Sequence, residues 1–179
     1  MPRDKPRLHL ALYSRPKHPK SYHYALFISP KKQPATTAIK HHALNTLQQT
    51  SQGGLAQPWR YERTEVEIAN ERRLLALVVV GKVICAQETL DSVLEGIPIY
   101  QVDDEDEEAA KSFNCISWAQ AAIDKLHRVH AINGLGDWQN IQDLALEYVE
   151  RKKKQGRWDE TSRKGVPTLD LLSGKELVE

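Results

Sequence analysis

Phe113-Asn114-Cys115-Ile116-Ser117-Trp118-Ala119-Gln120-Ala121-Ala122 begins the best-marked helix of the chain, and a cysteine is its first residue. Apolar residues recur at Cys115, Trp118, Ala119, Ala122, Ile123 and Leu126, the stripe of a helix lying on a sheet, with Ser112 or Asn114 available as its cap. Asn133-Gly134-Leu135-Gly136 is expected to end it. Upstream, the pattern is that of strands: Leu8 to Tyr13, Ser21 to Ser29, Thr36 to Leu44, Trp59 to Ile68 and Leu74 to Ile84, separated by stretches rich in proline and glycine. The last of these is continuously apolar, as a central strand buried on both faces must be. Downstream, Gln87 to Leu94 reads as a short helix stopped by Gly96 and Pro98. Asp103 to Glu108 is an acidic loop or the lead-in to the cysteine helix. A final helix starts near Asp137 and shows Trp138, Ile141, Leu144, Ala145, Tyr148 and Val149 on one side. The fold class is therefore α+β, an antiparallel sheet with packed helices. Residues 1–155 form one domain, and 156–179, polar apart from Leu169 to Leu172, is expected to be a mobile or loosely docked tail.

The formal net charge of +1 over 179 residues predicts no general attraction to nucleic acid or to an anionic membrane. No apolar run is long enough for an integral membrane segment, and Met1-Pro2-Arg3-Asp4-Lys5 lacks the apolar core of a secretory signal, so the expected location is cytoplasmic. Cys85 and Cys115 are then free thiols, Cys85 in the core.

The cysteine helix and one upstream strand carry the chemistry. In Tyr22-His23-Tyr24-Ala25-Leu26-Phe27-Ile28, strand parity puts His23 with Ala25 and Phe27 on one face and the remaining residues on the other. Both faces carry apolar residues, so His23 is not idle surface. Of the pair His41-His42, at most one shares the side of His23. Cys115 has two readings. As the first residue of an apolar stripe it is a small buried hydrophobe; at the first turn of a helix, the dipole and unpaired N–H groups favour thiolate and offer donors to an oxyanion. His127 and His130, one turn apart, lack a third ligand for a metal, and no glycine-rich phosphate loop is present. Neither a metal nor a cofactor is expected.

At these residues the chain resembles the permuted papain-like cysteine proteins of the NlpC/P60 superfamily, in particular its lecithin:retinol acyltransferase-like branch. His23-Tyr24-Ala25-Leu26-Phe27-Ile28 is similar to that branch's His-Trp-Ala-Ile-Tyr-Val strand, and Asn114-Cys115 to its later Asn-Cys at a helix start. An uncharacterised family of small fungal proteins is similar as well, through Gly81-Lys82-Val83 and Phe113 to Trp118. The resemblance implies a permuted papain-like fold with Cys115 as nucleophile, His23 as general base and acid, and His42 as orienter, His41 being the competitor for that third place. Tyr24, Asn114 and Trp118 are the expected substrate-binding residues. Glu and His follow Asn-Cys in that branch, whereas Ile116 and Ser117 follow here, and no apolar anchor comes after the domain. A phospholipid or retinyl ester is therefore not the expected substrate.

The implied activity is acyl transfer or hydrolysis on an amide, ester or thioester of a small-molecule or acyl substrate. Two alternatives remain: a metabolite cyclase or isomerase using the same site, and an interaction module without turnover. The sequence does not set the oligomeric state.

Overall fold

A computed structural model describes residues 4–159 and 165–179. In chain order the strands are β1 (Arg7–Ser14), β2 (Tyr22–Ser29), β3 (Thr37–Leu44), β4 (Gln48–Gln49), β5 (Leu55–Ala56), β6 (Arg60–Glu67) and β7 (Leu74–Val83). Helices α1 (Gln87–Glu95), α2 (Glu107–Ser112) and α3 (Cys115–Arg128) follow, then β8 (Ile132–Gly134), α4 (Trp138–Lys154), β9 (Thr168–Asp170) and β10 (Lys175–Val178). The main sheet runs β10-β9-β7-β1-β2-β3-β6, with β8 paired to the end of β7, and β4 and β5 form a separate hairpin. All pairings are antiparallel except β7 with β9. The protein is thus α+β, with a sheet dominated by antiparallel pairs.

Alternation decides what each face carries. Leu8, Leu10 and Leu12 of β1, Tyr24, Leu26 and Ile28 of β2, and Ala76, Val78 and Val80 of β7 point to one side. There they pack against Leu90 and Leu94 of α1, Trp118, Ala122 and Ile123 of α3, and Ile141, Ala145 and Tyr148 of α4. The intervening residues, among them Ala11, Tyr13, Ala25, Phe27 and Leu77, build a smaller core on the opposite face with Ile68 and Ala38. His9 and His41 are sealed into these layers with no exposure at all.

Three parts of the sequence reading need correction. The cysteine helix ends at Arg128 rather than at Asn133 to Gly136. Ala131 N–H donates to Leu126 and His130 N–H to His127, with His130 at φ 53, so a Schellman turn closes the helix without the usual glycine. Asn133-Gly134 is then a strand lying so close to β7 that a Cβ on Gly134 would collide with the Val80 carbonyl. Second, the acidic stretch ends in a helix of its own, α2, capped by Asp106.

Third, the C-terminal segment is no loose tail. Leu77, Val78 and Val79 pair with Thr168, Leu169 and Asp170, which places β9 beside the central strand. The part of that expectation falling on 160–164 lies outside the described residues. Lys152 of α4 is buried and meets Glu176 of β10 at 2.5 Å, while Tyr148 donates to the same carboxylate at 2.6 Å. Glu176 keeps 27% of its side chain exposed, so losing it costs less than the roughly 3–5 kcal/mol of a fully buried pair. Glu176→Ala is expected to lower stability by about 2 kcal/mol in urea unfolding; an unchanged midpoint would mean that this segment adds nothing to the fold.

Candidate active site

β1 holds β2 along its full length, but β3 joins β2 only through Leu26 with His41, Phe27 with Lys40 and Ile28 with Ile39. Beyond Leu26 both strands continue without pairing, so a seam opens between residues 22–25 of β2 and 42–44 of β3. α3 packs on both strands across this seam. Its first residue, Cys115, is buried against β2.

The start of α3 is fixed by a capping box. Asn114 Oδ1 accepts from the N–H groups of Ile116 at 2.8 Å and Ser117 at 3.0 Å, and Ser117 Oγ accepts from Asn114 N–H at 2.9 Å. Two forces act on the thiol inside this frame. Burial raises its pKa; the Tyr24 N–H, the Arg15 charge and the N–H groups of Cys115 and Ile116 oppose that rise without cancelling it. The dipole effect read from the sequence is present, and desolvation outweighs it.

His23 lies on the sheet face opposite α3, edge-on to Tyr13 with ring centroids 5.9 Å apart. Its Nε2 is 2.8 Å from His42 Nδ1, so the two imidazoles bridge the seam that the backbone leaves open. Burial first, then His42, Arg15 and Lys40, pushes the His23 pKa down to about 3. His42 is lowered chiefly by burial, against a hydrogen bond to Glu62 that raises it. At neutral pH the site therefore holds a thiol and two uncharged imidazoles, with no resting thiolate–imidazolium pair. Among the described residues no hydrogen bond joins Cys115 to His23. What links them is the seam: the Tyr24 backbone beside the sulfur is one residue from His23, and the Arg15 charge acts on both groups.

His42, not His41, shares the side of His23. His41 faces the helical layer, where Nδ1 is 2.8 Å from the Tyr61 hydroxyl and Nε2 is 3.6 Å from Asp91. The expected substrate-binding residues have other work. Trp118 is wholly buried and offers a ligand no surface. Tyr24 is 2% exposed, its ring packed edge-on against Trp138 and its hydroxyl 3.4 Å from Gln142. The Asn114 side chain holds the helix cap. An open cleft of about 570 Å³ lies at the α3 start, lined by Asn114, Ser117 and Gln120 there and by Asp137, Gln139 and Gln142 of the α4 start; Cys115 is not part of its lining.

Two neighbours escaped the sequence reading. Glu62 Oε1 stands 3.3 Å from His42 Nε2, and strand parity opposite His42 would have revealed it once the β3–β6 register was known. Arg15 sits in the β1–β2 loop, and only the three-dimensional structure brings its charge to the site. His127, weighed above as a metal ligand, instead hydrogen-bonds the Leu135 carbonyl.

The model of DUF6914, a family of unknown function, matches residues 5–178. The chain belongs to this family. No curated protein and no solved structure matches it. In this DUF6914 protein no helix among the described residues is long and apolar enough to cross a membrane.

Three buried histidines, His9, His41 and His42, together with half-buried His23, make the fold of this protein sensitive to acid. His9 and His41 are pushed down to about 4 and His23 to about 3, in each case chiefly by burial, and His42 is lowered too. The unfolded chain binds protons at these groups from about pH 6.5 downward while the folded one does not, so stability falls as pH falls through that window. Each histidine costs about 1.4 kcal/mol per pH unit once its unfolded form is protonated. Glu71 and Glu176, whose pKa values are lowered, add to the loss only at more acid pH. Urea unfolding between about pH 7.5 and pH 5 is expected to show this loss; a flat profile would mean that the imidazoles protonate in place.

Proposed function

We propose that the protein is a cysteine-dependent acyl-transfer enzyme, a hydrolase or acyltransferase acting on an amide, ester or thioester, with a permuted papain-like site. The observation that carries this reading is the position of Cys115 at the first turn of α3, against the β2 backbone beside His23, with His23 hydrogen-bonded to His42 at 2.8 Å. A helix with an N-terminal cysteine packed on an antiparallel sheet, a strand histidine and a second imidazole behind it are the parts such a site requires.

In this reading Cys115 Sγ attacks the acyl carbonyl and its proton passes to His23 over a bridging water in the β2–β3 seam, because the two side chains lie on opposite faces of the sheet. The Cys115 N–H, which the Asn114 cap leaves unused, holds the oxyanion. His23 then gives the proton to the leaving amine, alcohol or thiol, and water or a second nucleophile resolves the thioester. Because thiol and imidazole both rest uncharged, the proton moves as the C–S bond forms. The polar cleft at the α3 start, which carries side-chain amides and the carboxylates of Asp124 and Asp137, suits a small polar acyl compound better than a lipid chain. A cytosolic setting keeps Cys85 and Cys115 reduced, and both are free.

One other reading has an observation in its favour. Burial of Cys115 and the lack of a hydrogen bond from it to His23 suit an interaction module without turnover. p-Nitrophenyl acetate separates the two. The enzyme reading expects one acetyl group on Cys115 by intact mass, none at that position in Cys115→Ala, and at least about a hundredfold slower transfer in His23→Ala. Its rate should rise with pH into the alkaline range without a step near pH 6.5, because His23 is already uncharged there. Acetylation of Cys85 alone, with Cys115 inert, would leave only the module.

A further inference from the structure

We propose that Glu62 is a positioning residue whose carboxylate sets the tautomers of His42 and His23 in series, leaving the basic lone pair of His23 on Nδ1. Its catalytic consequence rests on the acyl-transfer reading; the tautomers themselves do not.

The inference follows from counting protons along three side chains. Glu62 and His42 stand directly opposite each other in the β3–β6 ladder, so they share a face, the one that carries His23. An ionised carboxylate only accepts, and Glu62 Oε1 is 3.3 Å from His42 Nε2, so Nε2 carries the proton. An uncharged imidazole has one N–H, which leaves His42 Nδ1 bare. That nitrogen is 2.8 Å from His23 Nε2, so His23 must be the donor and Nε2 must hold its proton. His23 Nδ1 is then the free base, and it makes no hydrogen bond among the described residues. It is not a sealed atom either: the buried side-chain atoms without partners are His9 Nε2, Gln33 Nε2, His41 Nε2 and Trp118 Nε1.

The surrounding groups do not compete for these nitrogens. From β1, Tyr13 presents its ring edge-on to His23 and gives its hydroxyl to Glu71. Lys40 of β3 is paired with Glu71 at 2.9 Å and lies over the Tyr13 ring. The Arg15 charge, from the β1–β2 loop, lowers the His23 pKa, while its Nη1 donates to Ser21 at 3.3 Å. The Thr64 hydroxyl donates to Glu62 Oε1 at 3.4 Å, which leaves that oxygen an acceptor toward His42. Without Glu62, no other hydrogen-bond partner among the described residues fixes the direction of the two imidazole hydrogen bonds. Reversing them would put a proton on His23 Nδ1 and remove the base.

The side chain of Glu62 is 41% exposed, so replacing it opens no core. The test is 15N NMR of histidine-labelled protein at about pH 7.5, on the wild type, Glu62→Leu and Glu62→Gln. The wild type is expected to show His42 and His23 each as a single Nε2–H tautomer. Glu62→Leu removes the acceptor and should give mixed tautomers at both, whereas the amide oxygen of Glu62→Gln should restore the wild-type pattern. A merely structural role would move none of these signals. A proton on His23 Nδ1 in the wild type, or unchanged tautomers in Glu62→Leu, would overturn the proposal.

The second arm is acetylation of Cys115 by p-nitrophenyl acetate, expected to fall about tenfold or more in Glu62→Leu and to be largely restored in Glu62→Gln. Equal rates in all three proteins, with Cys115 acetylated, would sink the positioning role alone. No acetylation of wild-type Cys115 would sink the acyl-transfer reading, and the NMR arm would still decide the tautomers.

Discussion

The seam between β2 and β3 is the constraint on which the site depends. Three residue pairs hold these strands together, whereas β1–β2 and β3–β6 are each paired along eight residues, and the separation leaves a gap that no backbone hydrogen bond closes. Two things fill it. α3 packs on both strands from one face, with Cys115 against β2, and the His23–His42 hydrogen bond ties the strands from the other. A fully zipped pair would put a sheet between the thiol and the imidazole. Because the ladder stops at Leu26, the Tyr24 N–H faces the sulfur, and residues from opposite sides of the sheet converge on one short stretch of β2.

Burial governs the electrostatics of this place. It holds the histidines uncharged and the thiol protonated, and it outweighs the helix dipole that would favour thiolate. The same desolvation makes each imidazole a directional hydrogen-bonding group rather than a cation. Charge enters from the rim: Glu62 and Arg15 are both partly solvated, and each acts on a buried group through one contact or through its field. The Tyr13–Glu71–Lys40 cluster next to them is an ion pair capped by a phenol, which keeps the Lys40 charge from standing alone beside the histidines.

Much of this was legible in the residues. Alternation in Tyr22 to Ile28 placed His23 correctly relative to Phe27, the apolar stripe from Cys115 located α3, and the unbroken run from Leu74 identified the central strand. The misses have two physical causes: partners far away in sequence, and local backbone geometry that the residue types do not signal. Thr168 to Asp170 looks polar and short, and becomes a strand because β7 leaves an edge open to it. The C-terminus of α3 is set by His130 in a left-handed conformation, where glycine is the usual signal. Trp118, a substrate-binding residue in the resemblance, sits instead on the buried face of α3 in the core. Glu62 and Arg15 were ordinary surface charges until register and loop path brought them to the seam.

The most direct measurement is a crystal structure of the protein acylated at Cys115. The account predicts a thioester whose carbonyl oxygen meets the Cys115 N–H, with His23 Nδ1 within a hydrogen bond, or one bridging water, of the acyl carbon's approach path. An acyl group seated on the helical face with His23 still turned to the far side, and no water path through the seam, would contradict it.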